Sequence, residues 1–433
     1  MAALGDRRHI APVGTEDFLA DAAIPSQRGE LFQRAAALPE ITMNTLPRRG
    51  QLALVLALVT TGPAACAVDA TPPSEAASES SAQDLISGRV GAVYTLSNDA
   101  ATNEVLVFRR SATGSLQRAS SIATGGQGSG DGLGSQGAIV LTDDRHWLYA
   151  VNAGSNELSV FFVQGELVYL VDCIPTGGVR PISVTVHGGV AYVLHAGDAT
   201  TAGGITGFRQ RANGTLAPLA SSARPLSGAS VGPAQISFSP SGRALLVTEK
   251  GTNSIDEYRV DAGGRAGAPL VHASAGMTPF GFAITGRGQA IVSDAFGGAA
   301  GAGAVSSYQL DGLSGLATVS SAIADTESAP CWVVLAKNDH VAYVSNTASG
   351  SVSAYTVGND GAIALASGGA RAGETGEGSK PIDMALSRND GFLYVLDSGT
   401  HALSTFRVGS GGALTAVVGT TGLPASAVGL AAQ

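Results

Sequence analysis

Apolar and polar residues alternate in short bursts along most of this chain, and the bursts resemble one another. GAVYTLSND from Gly91, HWLYAVNAG from His146 and VAYVLHAGD from Val190 share one pattern with ALLVTEKGT from Ala244, QAIVSDAFG from Gln289, VAYVSNTAS from Val341 and FLYVLDSGT from Phe392. Superposing the seven puts Tyr94, Tyr149, Tyr192, Leu246, Ile291, Tyr343 and Tyr394 in one column, 43 to 55 residues apart with a mean spacing of 50. Five copies are preceded by a short apolar run beginning at or near Pro181, Pro233, Pro279, Pro330 or Pro381 and then a polar turn, as in SPSGR and SRNDG. A polar loop, an alternating segment such as SIDEYRV or SVSAYTV, a turn and a weaker run follow each copy. Alternation with period two is the mark of strands packed face to face. Four strands in a repeat of roughly 50 residues is a propeller blade.

The first unit lacks an innermost strand, and the chain ends on LPASAVGLAAQ, which reads as such a strand led by Pro424. The expected fold is therefore all-β: a seven-bladed β-propeller of four-stranded blades over residues 85–433. Residues 425–432 should complete the first blade and close the ring, which removes an edge that would otherwise invite aggregation.

In such a ring the start of each first strand and the end of each second strand meet at one mouth of the central channel. Two rings of candidate residues follow. One comes from the proline column: Ile182, Gln235, Gly281, Trp332 and Asp383. The other lies three residues past the aligned column: Ser97, Asn152, His195, Glu249, Asp294, Asn346 and Asp397. His195, Glu249 and Asp294 come from three consecutive blades and are the strongest chemical candidates. His146, His187 and His340 fall in turns at the opposite end. The glycine-rich run at 125–137 lacks the strand-to-helix context of a dinucleotide site and reads as a flexible loop over the channel mouth.

Composition agrees with a turn-rich all-β chain. Of 433 residues 59 are Gly, against 44% hydrophobic and 14% charged, and average glycine usage is about half of that share. A net charge of −9 argues against gripping nucleic acid by its phosphates. No spacing of a metal loop or zinc motif occurs, so neither a metal nor a cofactor is expected. Cys173 and Cys331 read as two buried thiols, too few for a disulfide scaffold.

The N-terminal region carries an address. From Met43 two arginines, Arg48 and Arg49, precede a 12-residue apolar run and then PAACA, the layout of a secretory signal. The run is too short to span a membrane, which takes about 20 residues. The expected organisation is a mis-assigned start or leader over 1–42, a signal peptide over 43–67, a flexible linker over 68–84, and the propeller. Cys66 is a candidate lipid-anchor site. Export to the periplasm, the medium or the membrane surface follows, with the propeller expected to be monomeric.

GPAQISFSPSGRALLVTEK and KPIDMALSRNDGFLYVLDSG resemble the lactonase family of seven-bladed propellers, which includes bacterial 6-phosphogluconolactonase and fungal carboxymuconate cyclases. The resemblance runs from about residue 88 to the end. It implies the fold above and a site in which a Glu at the end of a second strand works with Arg and His at the channel mouth. Glu249 matches that Glu. The family's Pro-Arg-His reads Pro233-Ala234-Gln235 here, its Ser-Asn-Arg reads Ser293-Asp294-Ala295, and a His near the start of blade three falls at Ile182-Ser183. Most of the cationic set is missing. Opening a lactone needs an acid or base and a group that steadies the oxyanion. Glu249 with His195 would be the catalytic pair, and Gln235, Asp294, Asn152, Asn346, Asp383, Asp397 and Lys250 would line the binding site. An acidic funnel without arginines speaks against a phosphorylated sugar. Three functions remain open: an altered lactonase, a non-catalytic propeller binding a small molecule or an envelope protein at the channel mouth, and an envelope scaffold.

Overall fold

The computed structural model describes residues 89–311 and 315–433. The segments expected to be a leader, a signal peptide with Cys66 and a linker lie outside those residues. Seven antiparallel sheets follow one another around an axis, with the innermost strands of neighbouring blades in contact all the way round. Blade four is representative: Pro233–Phe238, Ala244–Glu249, Ser254–Val260 and Ala266–Ala273, pairing in that order from axis to rim. Among the described residues helix is confined to three single 3-10 turns.

The ring closes as the sequence predicts. Val428–Ala432 pairs antiparallel with Arg89–Leu96 to supply the missing innermost strand of blade one, with Tyr94 opposite Ala431 and Thr95 opposite Leu430. The strand starts three residues later than expected, because Ala427 turns back to bond the Pro424 carbonyl. Outer strands of blades three and six are each broken into two short pieces. In blade three the Ser222 hydroxyl fills the gap, accepting a hydrogen bond from the Gly207 amide at 2.9 Å.

The proline column has a clear physical role. Pro181, Pro233, Pro279, Pro330 and Pro381 each open an innermost strand and each sits opposite the last residue of the second strand. The preceding residue is left-handed in all five blades: Arg180, Gly232, Thr278, Ala329 and Lys380, with φ between 49° and 62°. Its carbonyl accepts the amide that follows the second strand, at 2.9 Å for Ala196 to Arg180 and 3.0 Å for Lys250 to Gly232. This clamp fixes the mouth end of each blade. Blade two has no such proline; its innermost strand is only Ile139–Leu141, and Gln136 stands at the equivalent position.

The aligned column is the seam between blades. All seven of its residues are buried. Tyr192 of blade three reaches the third-to-fourth-strand turn of blade four, donating to the Gly264 carbonyl at 2.9 Å and accepting from the Ala266 amide at 2.7 Å. Tyr394 of blade seven reaches Gly114 of blade one at 3.2 Å, and Tyr94 of blade one reaches Gly165 of blade two. Tyr149 breaks the pattern, since its buried hydroxyl makes no hydrogen bond. Leaving a buried donor or acceptor unsatisfied costs about 1–3 kcal/mol. Tyr192→Phe should therefore lose stability by about that much, whereas Tyr149→Phe should be neutral within about 0.5 kcal/mol or stabilising. Urea unfolding of the two variants checks the contrast.

Candidate functional site

The second ring is assembled at one end of the ring of blades, but its side chains turn into the seams. Tyr149 and Asn152 are three residues apart on one strand, so they face opposite sides of the sheet. Asn152 accordingly meets blade one: its Oδ1 accepts from Asn103 Nδ2 at 3.0 Å and Thr124 Oγ1 at 2.6 Å, and its Nδ2 donates to Ser159 at 2.8 Å. Asn346 donates to Ser351 at 3.1 Å and Ser353 at 2.8 Å. Asp397 accepts from Ser404, and Asp294 from Ser306. All four are at most 1% exposed. The first correction is thus geometric: these residues end at the mouth without lining it.

Glu249 and His195 follow the same rule. Glu249 is fully buried and accepts the Ser227 amide at 3.0 Å, the Ser227 hydroxyl and the Thr252 hydroxyl at 2.8 Å. Asp256 lies beside it, pushed up to about 7 by burial and by the Glu249 carboxylate. His195 is 2% exposed, with Nδ1 3.2 Å from the Gly204 carbonyl and Nε2 unpartnered. Burial lowers its pKa to about 4, so the ring is neutral at ordinary pH. A Cβ on Gly178 would fall 2.5 Å from that ring, so only glycine lets the linking loop pass. The expected Glu249–His195 pairing is not formed. Glu249 is satisfied by Ser227 and Thr252, while His195 meets the third strand of its own blade and leaves Nε2 without a partner.

The proline-column ring does point inward. Gln235 bridges to blade five, accepting the Phe282 amide at 2.6 Å and donating to its carbonyl at 2.9 Å. The register also corrects the blade-three member: Ser183, not Ile182, is equivalent to Gln235 and Trp332. The Ser183 hydroxyl accepts the Ile236 amide of the next blade at 3.2 Å. Asp383 is 3% exposed. Burial holds its pKa well above the usual carboxylate range, against the opposing pull of the nearby Met384 and Gly137 backbone amides. Its Oδ2 has no partner.

Segment 125–137 covers this mouth and is pinned rather than loose. It passes Asn98 of blade one, whose Nδ2 donates to the Asp131 carbonyl at 2.6 Å. Lys250 of blade four donates to the Gly134 carbonyl at 2.6 Å, with its ammonium 4.5 Å from the Phe280 ring centroid. Trp332 of blade six donates its indole N–H to the Ser135 carbonyl at 3.0 Å. Gln136 then exchanges both amide bonds with Val333, at 2.7 and 3.0 Å. The strap thus joins blades one, four and six across the axis. Neither Gln136 nor Asp256 was visible as a candidate in the sequence. Asp256 had a signal, because the residue seven positions past the second-strand end is its seam partner, as in Asn152/Ser159, Asn346/Ser353 and Asp397/Ser404.

Two cavities remain along the axis. One of about 170 Å³ lies under the strap and is lined by Leu133, Ser135, Trp332, Ile382, Asp383 and Val428, among others. The other, about 290 Å³, occupies the channel beyond it and includes Gln136, Gln235, Thr185, Ser237 and again Asp383. The funnel is less acidic than expected, because the second-ring carboxyls are in the seams and Asp383 is the acidic residue that lines both cavities. Burial lowers the pKa of Lys250 to about 8, and the charge of Arg180 adds to the shift. Cys331 is buried and Cys173 half-buried, and both are free. Among the described residues no group of His, Cys, Asp and Glu is placed to hold a metal ion, and no helix is long and apolar enough to cross a membrane.

Seven four-stranded blades closed by the C-terminal strand around a strapped channel define a seven-bladed β-propeller. The sequence matches the profile of "Lactonase, 7-bladed beta-propeller" over residues 99–224 and 293–427, and the chain belongs to that family. Solved structures with the same fold include a Pseudomonas aeruginosa periplasmic gluconolactonase, 16% identical over 78% of this chain and 98% of that one, with a TM-score of 0.60. A Bacteroides fragilis protein assigned as a 6-phosphogluconolactonase is 18% identical over 79% and 98%, with a TM-score of 0.60. A Lactobacillus plantarum protein is 17% identical over 80% and 99%, with a TM-score of 0.62. No curated protein matches the sequence.

The seam carboxyls make stability depend on pH. Asp294 and Asp397 are pushed up to about 7 by burial, as Asp256 is. A carboxyl whose folded pKa exceeds its unfolded value of about 3.9 favours the folded state most below that value. The advantage is lost as pH rises through about 7. Denaturation midpoints should rise as pH falls from 8 to 5. Asp294→Asn should remove a share of that slope on the order of 2 kcal/mol, read from urea curves at the two pH values.

Proposed function

We propose that this is an exported lactonase-family propeller that binds a small ligand at the strapped end of its channel and does not open phosphorylated sugar lactones at Glu249. The observation that carries this reading is the strap. It occupies the mouth that a sugar would enter and is held there by Lys250, Trp332 and Gln136. Glu249 supports it further, since its carboxylate already accepts from Ser227 and Thr252 and has no exposed surface. The positions where the family carries Arg and His hold Ala234, Gln235 and Ala295, so a developing oxyanion would lack the preorganised cations that acyl transfer requires. Export is supported by the signal-like run at 43–67.

Lactone hydrolysis is the second reading, favoured by the family and by one observation: Asp383, a buried carboxyl whose pKa burial raises, lies against both channel cavities, the placement a general acid needs. Purified full-length chain, Glu249→Gln and Asp383→Asn are compared by proton release with D-glucono-δ-lactone, 6-phosphogluconolactone and γ-butyrolactone. The binding reading expects no rate above buffer for any of the three proteins. Turnover by the parent that disappears in folded Glu249→Gln would overturn it in favour of the family mechanism. Turnover lost only in Asp383→Asn would assign hydrolysis to the channel acid.

A further inference from the structure

The end of the ring opposite the strap is built from turns, and the turns carry charge unevenly. In each of blades four to seven the turn between the two innermost strands presents one exposed cation: Arg243, Arg287, Lys337 and Arg388. The carboxylates among them serve the backbone. Asp339 accepts the Gly286 amide of the preceding blade at 2.7 Å, and Asp390 accepts the Lys337 amide at 2.7 Å. Lys337 is held below its usual pKa, by burial first and then by the charges of Arg145 and Arg388, against the pull of Asp390. On blade two the exposed Asp143 and Asp144 precede Arg145, so the cationic crescent does not extend there. The strap end has the opposite character, with Asp99, Asp131, Asp198 and Glu377 exposed. In a chain of net charge −9 a cationic end is a segregated feature.

Corresponding turns of successive blades are related by the rotation of the ring, so the four cations lie near one plane around the axis. A plane of cations matches a flat anionic surface, whereas a small anion is held in a concave site. The chain also enters the propeller at this end. Arg89 opens the blade-one strand opposite Ser111, so the preceding sequence, with its signal-like run and Cys66, joins the ring next to blade seven. An attachment made through that sequence turns this end toward the bilayer. We infer that the end opposite the strap docks on an anionic phospholipid surface through Arg243, Arg287, Lys337 and Arg388, with the strapped mouth facing away from it. The inference concerns the other end of the ring from the ligand-binding reading and stands apart from it.

The test sediments purified full-length chain with phosphatidylcholine vesicles and with vesicles in which ~30% of the lipid is phosphatidylglycerol. The anionic vesicles should bind at least about tenfold more tightly. That gain should vanish between ~0.05 and ~0.5 M NaCl, as salt screens exposed charges. A Lys or Arg beside such a surface strengthens binding about fivefold. Lys337→Gln/Arg388→Gln should therefore lose at least about tenfold, whereas Lys380→Gln at the strap end should stay within about twofold of the parent. The exchange Lys337→Arg/Arg388→Lys keeps both charges and should bind like the parent, because a charged plane attracts charge and not the fork of one guanidinium. These side chains are exposed, so thermal midpoints should match across the set. Equal binding to both kinds of vesicle would assign attachment to the upstream apolar run. An equal loss in Lys380→Gln and in the double variant would reduce the effect to net charge. Capture on immobilised poly-L-glutamate with no gain on the anionic vesicles would give the face to an acidic protein. Each of these three results overturns the inference, and lactone turnover bears on none of them.

Discussion

Burial of each blade's faces against its neighbours is the constraint from which the rest follows. A ring of seven sheets has no free face between blades, so a polar group in a seam finds its partner across that seam or within it or, like the Tyr149 hydroxyl, goes without one. Tyrosine hydroxyls meet the demand on one side, reaching the turn of the following blade from Tyr94, Tyr192 and Tyr394. Asn152, Glu249, Asp294, Asn346 and Asp397 meet it on the other, each held by hydroxyls of Ser or Thr. The closing strand is part of the same logic, because a missing blade strand would reopen two seams at once.

The ring leaves one region that seams do not fill, and that region is the axis. Here the protein uses its own backbone. Segment 125–137 supplies carbonyl acceptors to Lys250 and Trp332 and lays Gln136 along the inner edge of blade six. Small glycines make this feasible: a Cβ on Gly128 would fall 2.2 Å from the Asn98 carbonyl carbon. Chemistry at this end is therefore governed by what fits beneath the strap, and Asp383 is the polar group that the plug leaves unsatisfied.

The sequence carried the fold almost completely, because repeated tyrosines, prolines and alternation report packing that recurs in every blade. Val428–Ala432 was legible for the same reason. The candidate site was legible in position and not in direction. Glu249 and its equivalents do end second strands, yet a second strand presents its side chains to neighbouring blades and only its inner neighbour borders the axis. An offset of three from the tyrosine column already implied the opposite face, toward the preceding blade. Gln136 was hidden because its partner, Val333, lies 197 residues away, and no local pattern records such a contact.

That separation bears on how the chain is assembled. Contacts between distant segments form only after the entropy of closing the intervening loop has been overcome. Residues 125–137 leave the ribosome early, but their hydrogen-bond partners on blade six, and Asp383 on blade seven, do not yet exist. A chain carrying only its first five blades would have an open bore, with the strap held by blades one, three and four but without its blade-six partners. Full docking of the strap is then a late event that reports the completion of the ring, and a half-made or misassembled propeller would be marked by a glycine-rich segment that proteases can reach.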